Sequence, residues 1–134
     1  MTTTHATRSF ASLRQIDAGA LNVGYADAGP AEGPAVVLLH GWPYDIHSFL
    51  DATQLLAARG FRVIIPYLRG YGTTSLRSSN TPRNGQQCVV ALDAIALMDA
   101  LHVERAIVAV STGGLAQSIL WRRSGRTAAR HSFR

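Results

Sequence analysis

Lysine is missing from this 134-residue sequence, and all 13 basic residues are arginine. Residues 1–110 contain eight arginines and all eight acidic residues, so this part has no net charge. Residues 111–134 contain five arginines and no acid, and they supply the whole formal charge of +5. A nucleic-acid-binding surface would normally mix arginine and lysine on one folded face. The basic balance therefore comes from one tail and predicts no specific nucleic-acid partner.

Cysteine and long apolar runs are also scarce. The single cysteine, Cys88, excludes an internal disulfide framework and fits a reducing compartment. The longest apolar runs, such as that at residues 35–39, are far shorter than the ~18 residues that a membrane span needs. The N-terminal residues lack the apolar stretch of a secretory signal. We therefore expect a cytoplasmic globular protein without a membrane partner.

Strands and helices alternate along the chain after an N-terminal hairpin at residues 13–27. Buried strands are predicted at residues 36–39, 61–66 and 105–110, and helices at residues 48–59 and 86–101. This order predicts an α/β fold, with a mostly parallel sheet and helices on both faces. In such sheets the ligand crevice lies at the carboxyl ends of the strands. Two glycine-rich breaks, after Leu39 and after Val110, fall at those ends.

The acids of the second helix, Asp93 and Asp99, are interpreted as part of a solvated face. His5 and His47 have no other ligand-type side chain at metal-binding spacing, so no metal site is expected there.

The first break has the sequence His40-Gly41-Trp42-Pro43. In an acyl-transfer or displacement reaction, a backbone N–H just beyond such a strand can face the developing negative charge. Glycine lets the backbone approach a ligand closely, and proline fixes the direction of the departing chain. An ordinary strand-to-helix turn favours the same residues. These four residues alone therefore leave both interpretations open.

Taken together, several segments resemble the α/β-hydrolase family over about residues 20–109. The most similar branch is that of the epoxide hydrolases and haloalkane dehalogenases. Its His-Gly-x-Pro motif matches residues 40–43, and its Arg-Gly-x-Gly turn matches residues 69–72; Tyr67 stands where the branch usually has aspartate. The resemblance implies the N-terminal half of an α/β-hydrolase fold, truncated here. It also implies a small-molecule substrate, no metal or organic cofactor, and the N–H of Trp42 as an oxyanion donor.

The second break, at residues 109–114, resembles a Gly-x-Ser-x-Gly nucleophile elbow and the elbows of serine esterases and non-haem haloperoxidases. On that basis Ser111 is the candidate nucleophile, and the N–H of Thr112 completes the oxyanion hole. The remaining catalytic partners are missing, because no acid follows Glu104 and the only later histidine is His131. A serine without an acid and an oriented base loses most of its rate enhancement. We therefore expect this chain to be inactive.

The tail has an unusual composition, and we interpret it as frameshifted. Residues 1–109 form the N-terminal part of the hydrolase domain, and residues 110–134 form the arginine-rich tail. Residues 110–114 can be encoded GTT-TCG-ACT-GGG-GGx, and a reading frame one base earlier gives Gly-Phe-Asp-Trp-Gly. With third codon bases chosen freely, the same shift can give V-A-A-L-W-P-D-R-C-K-A-L-V-S from residue 121 onwards, which is typical of an elbow helix followed by a strand. The parent elbow would then contain an aspartate nucleophile.

Three functions stay open at this point. The first is a parent hydrolase that opens an epoxide, a haloalkane or a similar small substrate through a covalent ester. The second is a serine esterase or haloperoxidase-like enzyme with Ser111 as nucleophile. The third is a non-catalytic fragment that associates through the exposed sheet edge after its last buried strand. The sequence leaves the substrate and the oligomeric state undefined.

Overall fold

A computed structural model describes residues 9–112, 115–122 and 129–132, with side chains as far as Ser111. The helices are a 3₁₀ helix, Ile46–Phe49, followed by α1, Leu50–Ala58, and later α2, Gln87–Ala100. The strands are β1 (Leu13–Ala18), β2 (Leu21–Ala28), β3 (Ala35–Leu39), β4 (Arg62–Pro66), β5 (Ser75–Leu76), β6 (Arg105–Thr112), β7 (Leu115–Arg122) and β8 (Ala129–Ser132).

All the strands belong to one mixed sheet of order β1-β2-β4-β3-β6-β7-β8, with β5 paired to β2. β3 pairs in parallel with β4 and with β6, and the other pairs are antiparallel. The parallel neighbours are joined through α1 and α2, because parallel strands need a crossover connection. The predicted α/β class is confirmed, and parallel pairing is confined to the centre of the sheet.

The sheet is covered on both faces, so its central strands are almost fully apolar. Successive residues of a strand point to opposite faces. Val37 and Leu39 of β3 pack in the cluster that includes α2, whereas Val36 and Leu38 pack in the cluster beside α1. From α2, the buried side chains are Ala94, Leu97 and Met98, which lie on the apolar stripe expected from the sequence.

The helices begin and end close to the predicted positions. The first begins earlier than expected, because Asp45 accepts a hydrogen bond from the N–H of His47 at 2.8 Å and caps the 3₁₀ helix. It ends before Gly60, whose φ of +88° favours glycine. The second helix agrees with its prediction within one residue at each end. Within the described ranges, no helix is long and apolar enough to cross a membrane.

Candidate functional site

The candidate site lies at the end of the sheet where the parallel strands β3, β4 and β6 finish. In the parallel pairs, Leu39 lies opposite Val110, and Val37 lies opposite Ile64. The chain leaves β3, β4 and β6 at the same edge, and neighbouring strands lie only about 4.8 Å apart. The turns that follow β3 and β4 therefore lie side by side, next to the end of β6. The second glycine-rich break lies within β6 as far as Thr112, and residues 113–114 are outside the described residues.

The turn after β3 presents Trp42 to the surface. The N–H of Tyr44 donates to the carbonyl of Gly41 at 2.8 Å, and the Trp42–Pro43 peptide bond is cis. The Trp42 side chain is 80% exposed. Among residues 9–111, nothing accepts a hydrogen bond from the Trp42 N–H. A free N–H at this position can donate to an anion beside the sheet edge.

His40, which the sequence indicated only as a motif residue, joins two turns. Its side chain is fully buried, and its Nε2 accepts a hydrogen bond from the N–H of Leu68 at 3.1 Å. The edge of the Tyr71 ring packs against the imidazole, with ring centroids 4.7 Å apart. The turn after β3 is thereby fastened to the turn after β4.

The acceptor role of Nε2 fixes the protonation of the His40 ring. Nε2 must be unprotonated, so in the neutral ring Nδ1 holds the proton. Nδ1 makes no hydrogen bond of good geometry within the described residues. The backbone carbonyls of Gly41 and Tyr44 lie near enough to raise the pKa of the ring. Burial lowers the pKa of His40, and these carbonyls and the charge of Asp45 oppose that shift to a smaller extent. The site therefore favours the neutral ring.

Tyr67, the departure from the aspartate of the resembled branch, is buried beneath the turn that follows β4. Its N–H donates to the Gly24 carbonyl, and its own carbonyl accepts from the Thr74 hydroxyl, both at 2.8 Å. Gly72 lies against the Tyr67 ring, because a Cβ built on Gly72 would be 2.5 Å from the ring carbons. The turn thus has an aromatic support in place of a carboxylate.

Arg69 ties the same turn to α2. Its guanidinium donates to both carboxylate oxygens of Asp93, at 2.6 and 2.7 Å, and to the Asn84 carbonyl at 3.0 Å. The two side chains are only 11% and 15% exposed. The expectation that Asp93 belongs to a solvated face was therefore wrong. Sequence spacing missed the pair because its partners are 24 residues apart and meet only in the fold.

Ser111 and Thr112 do not lie in a strand-to-helix turn. β6 continues through both residues, which the register places opposite Ala116 and Leu115 of β7. The predicted elbow geometry is therefore corrected at these two residues, because antiparallel pairing with β7 keeps the chain extended. His131 lies on β8, opposite Ser118, so the register separates it from Ser111 by the whole of β7.

A cavity of about 620 Å³ borders the turn that follows β4. Its lining residues include Arg69, Thr74, Ser78, Arg83 and Asn84, but neither Trp42 nor Ser111 lines it.

Among the described residues, no group of three or more histidine, cysteine, aspartate or glutamate side chains is placed to hold a metal ion.

Sequence comparisons and structure comparisons with known proteins indicate the same family. A model of the α/β-hydrolase fold matches residues 34–117. A haloalkane dehalogenase from Mycobacterium marinum is 40% identical over 63 residues, which are 47% of this chain and 21% of that protein. A non-haem chloroperoxidase from Streptomyces lividans is 35% identical over 95 residues, which are 69% of this chain and 33% of that protein.

A solved structure agrees with these sequence relatives. The crystal structure of a putative epoxide hydrolase from Klebsiella pneumoniae is 54% identical, with a TM-score of 0.74 over 75% of this chain and 33% of that chain. The present chain thus spans a third or less of the length of these relatives. The expected resemblance is confirmed. With the family model matching more than half of its residues, the chain belongs to the α/β-hydrolase-fold family.

Proposed function

We propose that this chain is the N-terminal part of a hydrolase that opens a small epoxide, a haloalkane or a similar substrate through a covalent ester. The observation that supports this most is the His40–Pro43 turn, because it leaves the Trp42 N–H without an acceptor at the edge where β3 and β6 end. The 54% identity to a putative epoxide hydrolase points to the same branch. Cytoplasmic location is part of this proposal, and the free Cys88 is consistent with it.

In the proposed reaction, a carboxylate oxygen of the parent elbow attacks a substrate carbon. An epoxide C–O bond breaks and its oxygen takes a proton, or a halide leaves with the bonding electrons. A base of the parent enzyme then takes one proton from water as the water oxygen adds to the acyl carbon of the ester, and the tetrahedral oxyanion accepts hydrogen bonds from backbone N–H groups, of which Trp42 supplies one. On collapse the ester C–O bond breaks and the departing oxygen takes the proton of the added hydroxyl, which releases the alcohol and regenerates the carboxylate. The proton held by the base replaces the one given to the epoxide oxygen, or leaves with the halide. No metal or organic cofactor takes part.

The aspartate of this reaction comes from the neighbouring reading frame. Read as translated, the chain offers Ser111 in its place, on a strand that continues past it. The shifted frame can encode Gly-Phe-Asp-Trp-Gly over residues 110–114, where β6 ends. The proposed inactivity of this chain follows from the absence of that aspartate in the frame as translated.

A second candidate function is a serine-type esterase or haloperoxidase-like enzyme with Ser111 as nucleophile and Thr112 as second oxyanion donor. The similarity to a non-haem chloroperoxidase favours it. The placement of His131 beyond β7 counts against it, since the base must reach the nucleophile within hydrogen-bonding distance. The third candidate is a non-catalytic fragment, which requires neither Ser111 nor His131 for its role.

The coding DNA separates these candidates. We would sequence it from the codon of Ala109 to several hundred bases past that of Arg134, and restore the shifted frame in a second gene. The proposal expects an open frame with a later acid and histidine, and a product that hydrolyses a styrene-type epoxide or a bromoalkane. Aspartate-to-asparagine substitution at the restored elbow should abolish that activity. A frame that closes within a few codons would contradict the proposal, and p-nitrophenyl acetate hydrolysis abolished by Ser111→Ala would establish the serine alternative.

A further inference from the structure

Strand β6 would have a bare edge if the chain stopped at its end. One edge of β6 pairs with β3, from Ala106 opposite Ala35 to Val110 opposite Leu39. The backbone N–H and C=O groups of its other edge need partners as well. The strand is apolar between Arg105 and Ser111, and Ile107 is 42% exposed. Long apolar edges of this kind pair with other chains unless they are covered.

The tail covers this edge. β7 pairs with β6 over its full length, from Arg122 opposite Arg105 to Leu115 opposite Thr112. Only Gly113 and Gly114 separate the paired residues Thr112 and Leu115, and Gly-Gly is favoured in two-residue hairpin connections. The outer position then passes to β8, which is four residues long and contains Arg130 and His131. Short edge strands with basic residues resist further pairing.

We propose that β7 is an intramolecular cover for β6, which keeps the chain monomeric, and that a second copy of the chain occupies this edge when β7 is displaced. The expected exposed edge after the last buried strand is thus occupied by the chain's own tail. This inference uses the tail as translated, so it does not depend on an aspartate in the parent elbow.

The test compares the full chain with Gln117→Pro and a control, Ser79→Pro. Gln117 lies opposite Val110. Hydrogen-bonded pairs alternate from the closing pair Thr112–Leu115, so the N–H of Gln117 faces Val110, and a proline there removes a β6–β7 hydrogen bond. Ser79 is the second residue of an exposed turn closed by the Thr81 N–H and the Ser78 carbonyl, a position that accepts proline. Amide hydrogen exchange reports on β6, and light scattering after size-exclusion chromatography reports the mass.

We expect the full chain and Ser79→Pro to be monomeric and to protect successive amides of β6. In Gln117→Pro, the alternate β6 amides that face β7 should exchange at least about tenfold faster, those bonded to β3 should stay slow, and the mass should rise with concentration. Equal exchange in the two variants would overturn the inference, and so would a Gln117→Pro protein that loses protection yet stays monomeric. If Gln117→Pro does not fold, the full chain itself decides: β6 amides facing β7 that exchange as fast as exposed amides would overturn the inference.

Discussion

Removing the carboxylate of Asp93 should destabilise the protein, because it leaves the nearly buried guanidinium of Arg69 without its charged partner. Asp93→Ala leaves the Arg69 guanidinium with only the Asn84 carbonyl as a partner. Breaking a fully buried pair costs about 3–5 kcal/mol, and hydrogen bonds to charged groups contribute about 1.5–3 kcal/mol each. Because the two side chains are still 11% and 15% exposed, some water reaches the orphaned charge. We therefore expect a loss of about 2–3 kcal/mol in unfolding free energy.

The assay is equilibrium unfolding in urea, followed by far-ultraviolet circular dichroism at pH 7. Glu104→Ala is the matched control, since Glu104 is exposed and its loss should change the free energy by less than about 0.5 kcal/mol. The double variant Arg69→Met with Asp93→Leu should recover much of the loss, because it leaves no unpaired charge. An Asp93→Ala protein as stable as the control would refute the reasoning, and an equally damaged double variant would show that packing, not charge, is responsible.

Three further predictions concern other parts of the structure. Burial lowers the pKa of His40 in the fold, so the unfolded chain binds more protons than the folded chain near and below pH 6.5. The free energy of unfolding should therefore fall as the pH drops below about 6.5, by up to ~1.4 kcal/mol per pH unit. In urea melts at a series of pH values, His40→Gln should remove this dependence. Gly72→Ala should cost about 1–2 kcal/mol more than Gly70→Ala in thermal melts, because both glycines have positive φ but only Gly72 lies against the Tyr67 ring. Arg122→Glu should stabilise the chain by about 0.2–1 kcal/mol, since the register places residue 122 opposite Arg105, and an unchanged or lower urea midpoint would contradict that register.

The central fold could be predicted because its signals are local. Continuous aliphatic runs mark β3 and β4, and the apolar stripe of α2 follows from helical spacing within one segment. β5 escaped prediction because it is two residues long and exists only through its pairing with β2. The antiparallel pairing of β2 with β4 was also hidden, since nothing in either strand specifies a neighbour so far away in sequence.

The candidate site was predictable only where a motif contains it. The His40–Pro43 turn lies where the sequence placed it, at the end of β3. The contacts that hold it were not visible, because His40 meets Leu68 across 28 residues and Arg69 meets Asp93 across 24. Such contacts depend on which strands become neighbours, and therefore on the completed sheet.

The tail shows how a local pattern can support two different structures. Small residues around Ser111 are what a nucleophile elbow needs, and Gly113-Gly114 between extended segments is equally what a two-residue hairpin needs. An elbow also requires a helix after the glycines, and residues 115–122 pair as a strand instead. In this chain the edge of β6 is occupied by residues 115–122, and their pairing satisfies backbone groups on that edge that an elbow helix would leave without partners. If the parent gene is frameshifted here, the change therefore did more than replace a nucleophile: it gave the hydrolase sheet an antiparallel border.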